Sequence, residues 1–218
     1  MLPRLYPILD IDLCRERRLE PLAVLSAFLA GGARFLQLRD KTSSTAARLA
    51  LAEAVVGRAH AAGARVIVND RPDVARLSGA DGVHVGQDDL PVDEVRRILG
   101  REAIVGLSTH DAAQVAAAAG TSASYVAVGP IYGTATKETG YPARGLNLVR
   151  HAVRILNGAA GEAGMPVVAI GGITLARAPE VLAAGAASVA VISDLLRGDP
   201  EQAVRAFHER LASIGPQA

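Results

Sequence analysis

The sequence is short of the residues that staple chains or stack bases. Cys14 is the only cysteine, so no disulfide can form within the chain, which suits a reducing compartment and predicts a cytoplasmic location. Tryptophan is absent, and three phenylalanines and four tyrosines are too few for a base-stacking platform. Net charge is also nearly absent: 23 Lys and Arg against 22 Asp and Glu leave +1, too weak a field to gather a nucleic acid. No apolar run approaches the ~20 residues of a membrane span. Asp10 and Asp12 interrupt the first apolar stretch, so a secretory leader is not expected there. Neither nucleic acid nor membrane is therefore an expected partner.

What the chain does have is apolar residues, half of its 218, enough for one buried core over residues 1–218. They fall into two alternating patterns. Short β-branched runs with no polar face occur at 5–9, 34–38, 65–68, 82–85, 103–107, 125–128, 167–170 and 188–192, as buried parallel strands do. Between them lie segments of helical spacing at 21–29, 44–62, 72–77, 91–99, 111–120, 146–160 and 179–184, with a last one opening at Asp199-Pro200. Asp111 and Gln114 read as a capping box. Pro179 implies that its helix starts late if Thr174 is the cap. Strict βα alternation without a linker predicts an α/β fold, a single-domain (β/α)8 TIM barrel. A doubly wound sheet is the runner-up, weakened because no Gly-x-Gly-x-x-Gly follows the first strand.

On that frame the polar clusters all fall just past strand C-termini, the face where barrel chemistry is done. Gln37, Arg39 and Lys41 follow the second strand, Asn69 and Asp70 the third, and Gln87, Asp88 and Asp89 the fourth. Ser108 and His110 follow the fifth, Thr134, Thr136 and Lys137 lie in the Gly/Thr-rich loop 129–144, Gly171-Gly172 follow the seventh, and Ile192-Ser193 the eighth. Alternation points Gln37, Arg39 and Lys41 one way, and two cations aimed into one mouth call for an anion such as phosphate. Asp70 and Asp89 suit a hard divalent cation, with Asp88 as a competing ligand and a helix N-cap or a salt bridge as the structural alternatives. Gly171-Gly172-Ile173-Thr174 resembles a phosphate loop with a helix N-terminus behind it. His84, between two valines, reads as a hydrogen-bonded wall residue, His110 as a ligand contact or helix-start residue, and Cys14, ahead of the first helix, as incidental. Two anion sites in one mouth suit a transfer in which pyrophosphate leaves and a phosphorylated acceptor attacks.

The motifs Gln37-Leu-Arg39-Asp-Lys41, Val68-Asn69-Asp70, Gly82-Val-His84-Val-Gly86-Gln87-Asp88-Asp89, Gly106-Leu-Ser108-Thr-His110, 129–137 and Gly171-Gly172-Ile-Thr together resemble the thiamine-phosphate synthase family over nearly the whole chain. The resemblance implies a transferase that joins 4-amino-5-hydroxymethyl-2-methylpyrimidine diphosphate to 4-methyl-5-(2-phosphoethyl)thiazole, through a pyrimidine carbocation. It implies one Mg2+ per active site, held by Asp70 and Asp89. Gln37, Arg39, Lys41, Asn69, Ser108 and Lys137 would hold the pyrimidine diphosphate, with Arg39, Lys41, Ser108 and Lys137 acting in the chemistry. Thr134, Thr136, Gly172, Ile192 and Ser193 would hold the thiazole phosphate. The alternatives are a thiazole tautomerase-like enzyme of the same fold and a non-catalytic binder of thiamine intermediates; Lys137 with both aspartates counts against each. The expected partners are the two small-molecule substrates, and homo-oligomerisation is left open. Leu9 stands where many relatives have Thr, which leaves Asp10 without an assigned role.

Overall fold

A computed structural model describes residues 2–133, 141–157, 164–212 and 214. Eight parallel strands close into a barrel in sequence order, as expected. They are β1 Leu5–Asp10, β2 Phe35–Arg39, β3 Arg65–Asn69, β4 Gly82–Val85, β5 Ile104–Thr109, β6 Tyr125–Val128, β7 Val167–Ile170 and β8 Ser188–Val191. Around them, among the described residues, lie α1 Ile11–Glu16, α2 Pro21–Ala30, α3 Thr45–Ala61, α4 Pro72–Ser78, α5 Val92–Leu99, α6 Ala112–Ala118, α7 Gly145–Leu156, α8 Ala178–Ala183 and α9 Pro200–Ala212, with a 3-10 helix at Ser193–Leu196. Closure comes from β1, which pairs with β2 (Ile8 opposite Gln37) and with β8 (Tyr6 opposite Ala190). Among the described residues no sheet edge is left open for another chain to add to. Among the described residues no helix is long and apolar enough to cross a membrane.

Period-2 alternation divides the strands between two cores. On β1, Leu5 and Leu9 face outward against the helices, in a core shared with Leu25 and Phe28 of α2 and Val55 of α3. Tyr6 and Ile8 face inward, with Phe35, Ile67, Tyr125, Ala127, Val168 and Ala190. Three of the scarce aromatic residues thus meet at the barrel axis: Tyr6 lies edge-on to Phe35 at 4.7 Å and to Tyr125 at 6.0 Å between centroids. Such contacts add to the area they bury.

Three local expectations are corrected. Sequence spacing placed no helix between the first strand and Pro21, yet α1 forms there. It has 6 residues, too few for a helical period to show. Cys14 is therefore a buried residue of α1 and does not precede the first helix. Burial, with the charges of Asp10 and Glu20, pushes its thiol up to about 11, which makes it a poor nucleophile. The Asp111–Gln114 box forms one residue off: Asp111 accepts from the Gln114 amide at 2.9 Å, but the Gln114 side chain accepts from His110 N–H at 2.7 Å. The helix expected over 146–160 is α7, ending at Leu156, and residues 158–160 lie outside the described residues. The late start relative to Thr174 that Pro179 implies is real, since α8 opens only at Ala178.

Candidate active site

The C-terminal mouth of the barrel holds an open cavity with about 880 Å³ of empty space, solvent at its mouth included. Gln37, Arg39, Asn69, Ser108, Gly172, Ile192 and Ser193 all line it. Lys41, Asp70 and Asp89 form a separate polar cluster joined to that wall through Asn69. Thr134, Thr136 and Lys137 lie outside the described residues.

The carboxylate cluster is built by a strained turn. Asp70 takes a left-handed φ of 62°, uncommon away from glycine. Its N–H donates to the His84 carbonyl at 2.7 Å, which ties the end of β3 to β4. The N-cap position of α4 is Arg71 and not Asp70, so the capping alternative falls. The Lys41 ammonium instead pairs with the Asp70 carboxylate. Asp89 folds back to accept the Gly86 N–H at 2.7 Å. Burial pushes its carboxyl up, against the Gly86 amide that favours its charge; the adjacent Asp70 charge adds to the rise and Lys41 opposes it. Asp88 is exposed. Two carboxylates in mutual repulsion, one of them half-buried, make a hard oxygen donor set that a divalent cation fits.

Arg39 is not a lone cation either. It meets Asp10 at 2.5 Å in a pair whose side chains are 12% and 2% exposed. Its Nε is buried and has no partner among the described residues. The same Asp10 caps α1 by accepting the Leu13 N–H at 2.9 Å. One carboxylate therefore starts a helix and steers an arginine, a dual role that sequence spacing did not disclose. The expectation that Gln37, Arg39 and Lys41 point one way is corrected for Lys41: β2 ends at Arg39, Gln37 and Arg39 line the cavity, and Lys41 turns to Asp70.

A chain of hydrogen bonds runs through the barrel beneath the cavity. Ser108 Oγ lies 2.8 Å from His84 Nε2, His84 Nδ1 lies 3.0 Å from the Tyr125 hydroxyl, and Tyr125 lies 2.9 Å from the Tyr6 hydroxyl. The Gln37 amide donates to Tyr6 at 3.1 Å. His84 is thus the hydrogen-bonded wall residue expected. Tyr6 and Tyr125 went unnoticed in the sequence, where each reads as core. Burial lifts both phenols far above the usual tyrosine range, so both keep their protons. His110 donates from Nδ1 to the Gly129 carbonyl at 2.7 Å and stacks on Tyr141 at 4.2 Å, at the rim.

Across the mouth, Gly171 and Gly172 have φ of 103° and 61°. A Cβ on Gly171 would lie 2.6 Å from Pro130 Cα, and one on Gly172 2.5 Å from the Gly133 carbonyl oxygen, so both positions require glycine. Ile131 and Tyr132 donate to the carbonyls of Ile170 and Gly171 at 2.9 and 3.0 Å. Among the described residues nothing accepts from the amides of Gly172, Ile173 and Ser193. Asp194 accepts the Leu175 N–H at 2.8 Å and binds this loop to the 3-10 helix. The helix behind this loop, α8, starts only at Ala178, so its N-terminus does not abut Gly172. An anion here would be held by backbone amides without that dipole.

With the geometry in view, comparison with known proteins is direct. A family model described as thiamine monophosphate synthase matches residues 5–195. The thiamine-phosphate synthase of Roseiflexus sp. (strain RS-1) is 44% identical over 209 residues, covering 95% of this chain and 85% of that protein. That of Mycolicibacterium smegmatis is 44% identical, covering 94% and 93%. The solved thiamine phosphate pyrophosphorylase of Pyrococcus furiosus superposes with a TM-score of 0.83 at 29% identity, over 98% of this chain and 97% of that one. The match runs through all eight strands and every cluster at their C-terminal ends, and the chain belongs to the thiamine monophosphate synthase family of transferases.

Proposed function

We propose that the chain joins the aminopyrimidine diphosphate to the thiazole phosphate, releasing thiamine phosphate and pyrophosphate. The observation that carries this reading is the presence of two different anion sites at one barrel mouth. One is the Lys41–Asp70–Asp89 cluster, which adjoins Asn69 of the cavity wall in the chain. The other is the amide-lined turn at Gly172 and Ser193.

Asp70 and Asp89 would hold Mg2+, which when bound supplies positive charge to the diphosphate that leaves. Arg39, whose Nε has no partner among the described residues, and Lys41 add donors to the same diphosphate, which stabilises charge as the carbon–oxygen bond opens. Gln37, Asn69 and Ser108 orient the pyrimidine, and Lys137, by its place in the motif, reaches the diphosphate from the loop after β6. The amides of Gly172 and Ser193, with Ile192, Thr134 and Thr136, place the thiazole phosphate so that its ring nitrogen meets the exposed pyrimidine carbon. Apolar walls at Ile8, Ala127, Val168 and Ile170 keep water from competing for that carbon. The chain's contribution is chiefly to position the two substrates and neutralise the leaving group.

The test measures pyrophosphate release with each component omitted in turn. Release that requires pyrimidine diphosphate, thiazole phosphate and Mg2+ together is expected. Release without the thiazole would make the chain a hydrolase. Aromatisation of a thiazole tautomer with no pyrimidine present would make it a tautomerase.

A further inference from the structure

The line Gln37, Tyr6, Tyr125, His84, Ser108 begins and ends at side chains that line the cavity; Tyr6 and His84 also border it, and Tyr125 packs behind them in the barrel. It contains four hydrogen bonds, and each needs one proton. The Gln37 amide nitrogen donates to the Tyr6 oxygen. The Tyr6 proton then goes to Tyr125, the Tyr125 proton to His84 Nδ1, and the imidazole proton, on Nε2, to Ser108 Oγ. In this order every donor along the line has an acceptor, and the Ser108 proton is left over at the cavity. If the imidazole proton sat on Nδ1 instead, the Tyr125 proton would turn to Tyr6, and the Tyr6 proton would face an amide nitrogen with no acceptor on the line. Buried hydroxyls rarely tolerate that.

The barrel also gives up a side chain to make the central bond. A Cβ on Gly106 would lie 2.2 Å from Tyr125 Cζ, 2.3 Å from its hydroxyl and 2.4 Å from His84 Nδ1. Gly106 is the β5 residue registered against both His84 and Tyr125, so glycine there clears the space in which they meet.

We propose that His84, Tyr125 and Tyr6 are positioning residues that fix the hydrogen-bonding sense of the site: Gln37 presents its carbonyl oxygen as an acceptor, and Ser108 presents its hydroxyl as a donor. This deepens the transferase reading and rests on it. An aminopyrimidine offers the complement, amino N–H donors and ring-nitrogen acceptors. The deaminated 4-oxo ring offers the reverse, a carbonyl acceptor beside a ring N–H. The relay therefore selects the amino form, because a site whose buried polar groups are held in one sense is left unpaired by the wrong partner.

Tyr125→Phe and Tyr6→Phe remove one hydroxyl each and keep the ring. The preference in kcat/KM for the 4-amino over the 4-oxo pyrimidine diphosphate is expected to fall about tenfold or more in either variant, while KM for the thiazole phosphate stays within about twofold. An unchanged preference would overturn the proposal. So would a loss shared equally by both pyrimidines and the thiazole, together with a lowered unfolding temperature, since that is the mark of a packing role. A second measurement does not depend on the variants folding: the 15N shifts of the His84 ring in the intact protein should place its proton on Nε2, and a proton on Nδ1 refutes the relay. If the wild-type chain makes no thiamine phosphate, the transferase reading fails on its own, and the His84 tautomer still decides the relay.

Discussion

Asp89 and Asp88 are neighbours in sequence and opposites in structure. Asp89 folds back onto Gly86 N–H and meets Asp70, whereas Asp88 is exposed. Asp89→Asn is expected to raise the Mg2+ concentration for half-maximal pyrophosphate release by about tenfold or more, and Asp88→Asn to leave it unchanged. A titration of rate against Mg2+ checks both, and a larger effect from Asp88 would reverse the assignment. Gly106 makes a sharper case about packing. Gly106→Ala drives a methyl into Tyr125 and His84, so unfolding in urea should show a loss of about 1–3 kcal/mol, the usual cost of overpacking. Residues of these two kinds differ in how they could be read beforehand. Gln37, Asn69 and Ser108 were legible because a polar side chain at the end of an apolar strand needs a reason. Tyr6, Tyr125 and Gly106 were not, because their reason is a bond between residues 119 apart in the chain. The Asp88 or Asp89 choice was equally hidden: it depends on which way a turn folds, and two adjacent aspartates carry no sign of that.

At the scale of elements, α1 shows where periodicity fails and chemistry takes over. Its 6 residues are held by the Asp10 cap and by burial of Ile11, Leu13 and Cys14. The capping carboxylate also pairs with Arg39, so the start of a helix and the wall of the cavity share one residue. Two substitutions separate these roles. Asp10→Asn keeps a side-chain oxygen for the Leu13 N–H but removes the charge opposite Arg39. Asp10→Ala removes both. Loss of a cap costs about 1 kcal/mol, and loss of one partner of a buried ion pair about 3–5 kcal/mol. Chemical denaturation should therefore place most of the damage already in Asp10→Asn, with Asp10→Ala only slightly worse. Equal stability of Asp10→Asn and wild type would mean that Arg39 is solvated or finds another acceptor. The longer helices needed no such argument. Their apolar spacing was strong enough to be legible, and only their ends moved.

The closed barrel itself was legible from eight repeats of strand and helix, because buried parallel strands need crossovers and a closed ring has no edges to protect. What the repeats did not reveal is how the ends of the chain are tied. The Arg205 guanidinium donates to the Ala30 carbonyl at 2.9 Å, and Arg4 reaches the Leu211 carbonyl. A Cβ on Gly31 would lie 2.7 Å from Val204 Cβ, so α9 lies hard against the end of α2. His208 of α9 sits beside Gly32 in this seam. Burial, then the Arg34 charge, holds its imidazole below the usual histidine range, with the Gly32 backbone partly opposing them. Folding therefore disfavours the protonated ring. As pH falls from above about 6.5, the unfolded chain takes up this proton first, so His208 subtracts stability until the pH passes its lowered folded value. The urea midpoint of the wild type should fall between pH 7.5 and pH 5.5. His208→Gln, which cannot take up that proton, should fall less over the same interval. Because the outer core is continuous from Leu5 to Leu211, the loss should appear as a shift of one cooperative transition, monitored by circular dichroism. A separate early transition at low pH would show instead that α9 detaches on its own, and an identical pH dependence in His208→Gln would mean that the seam does not resist the charge.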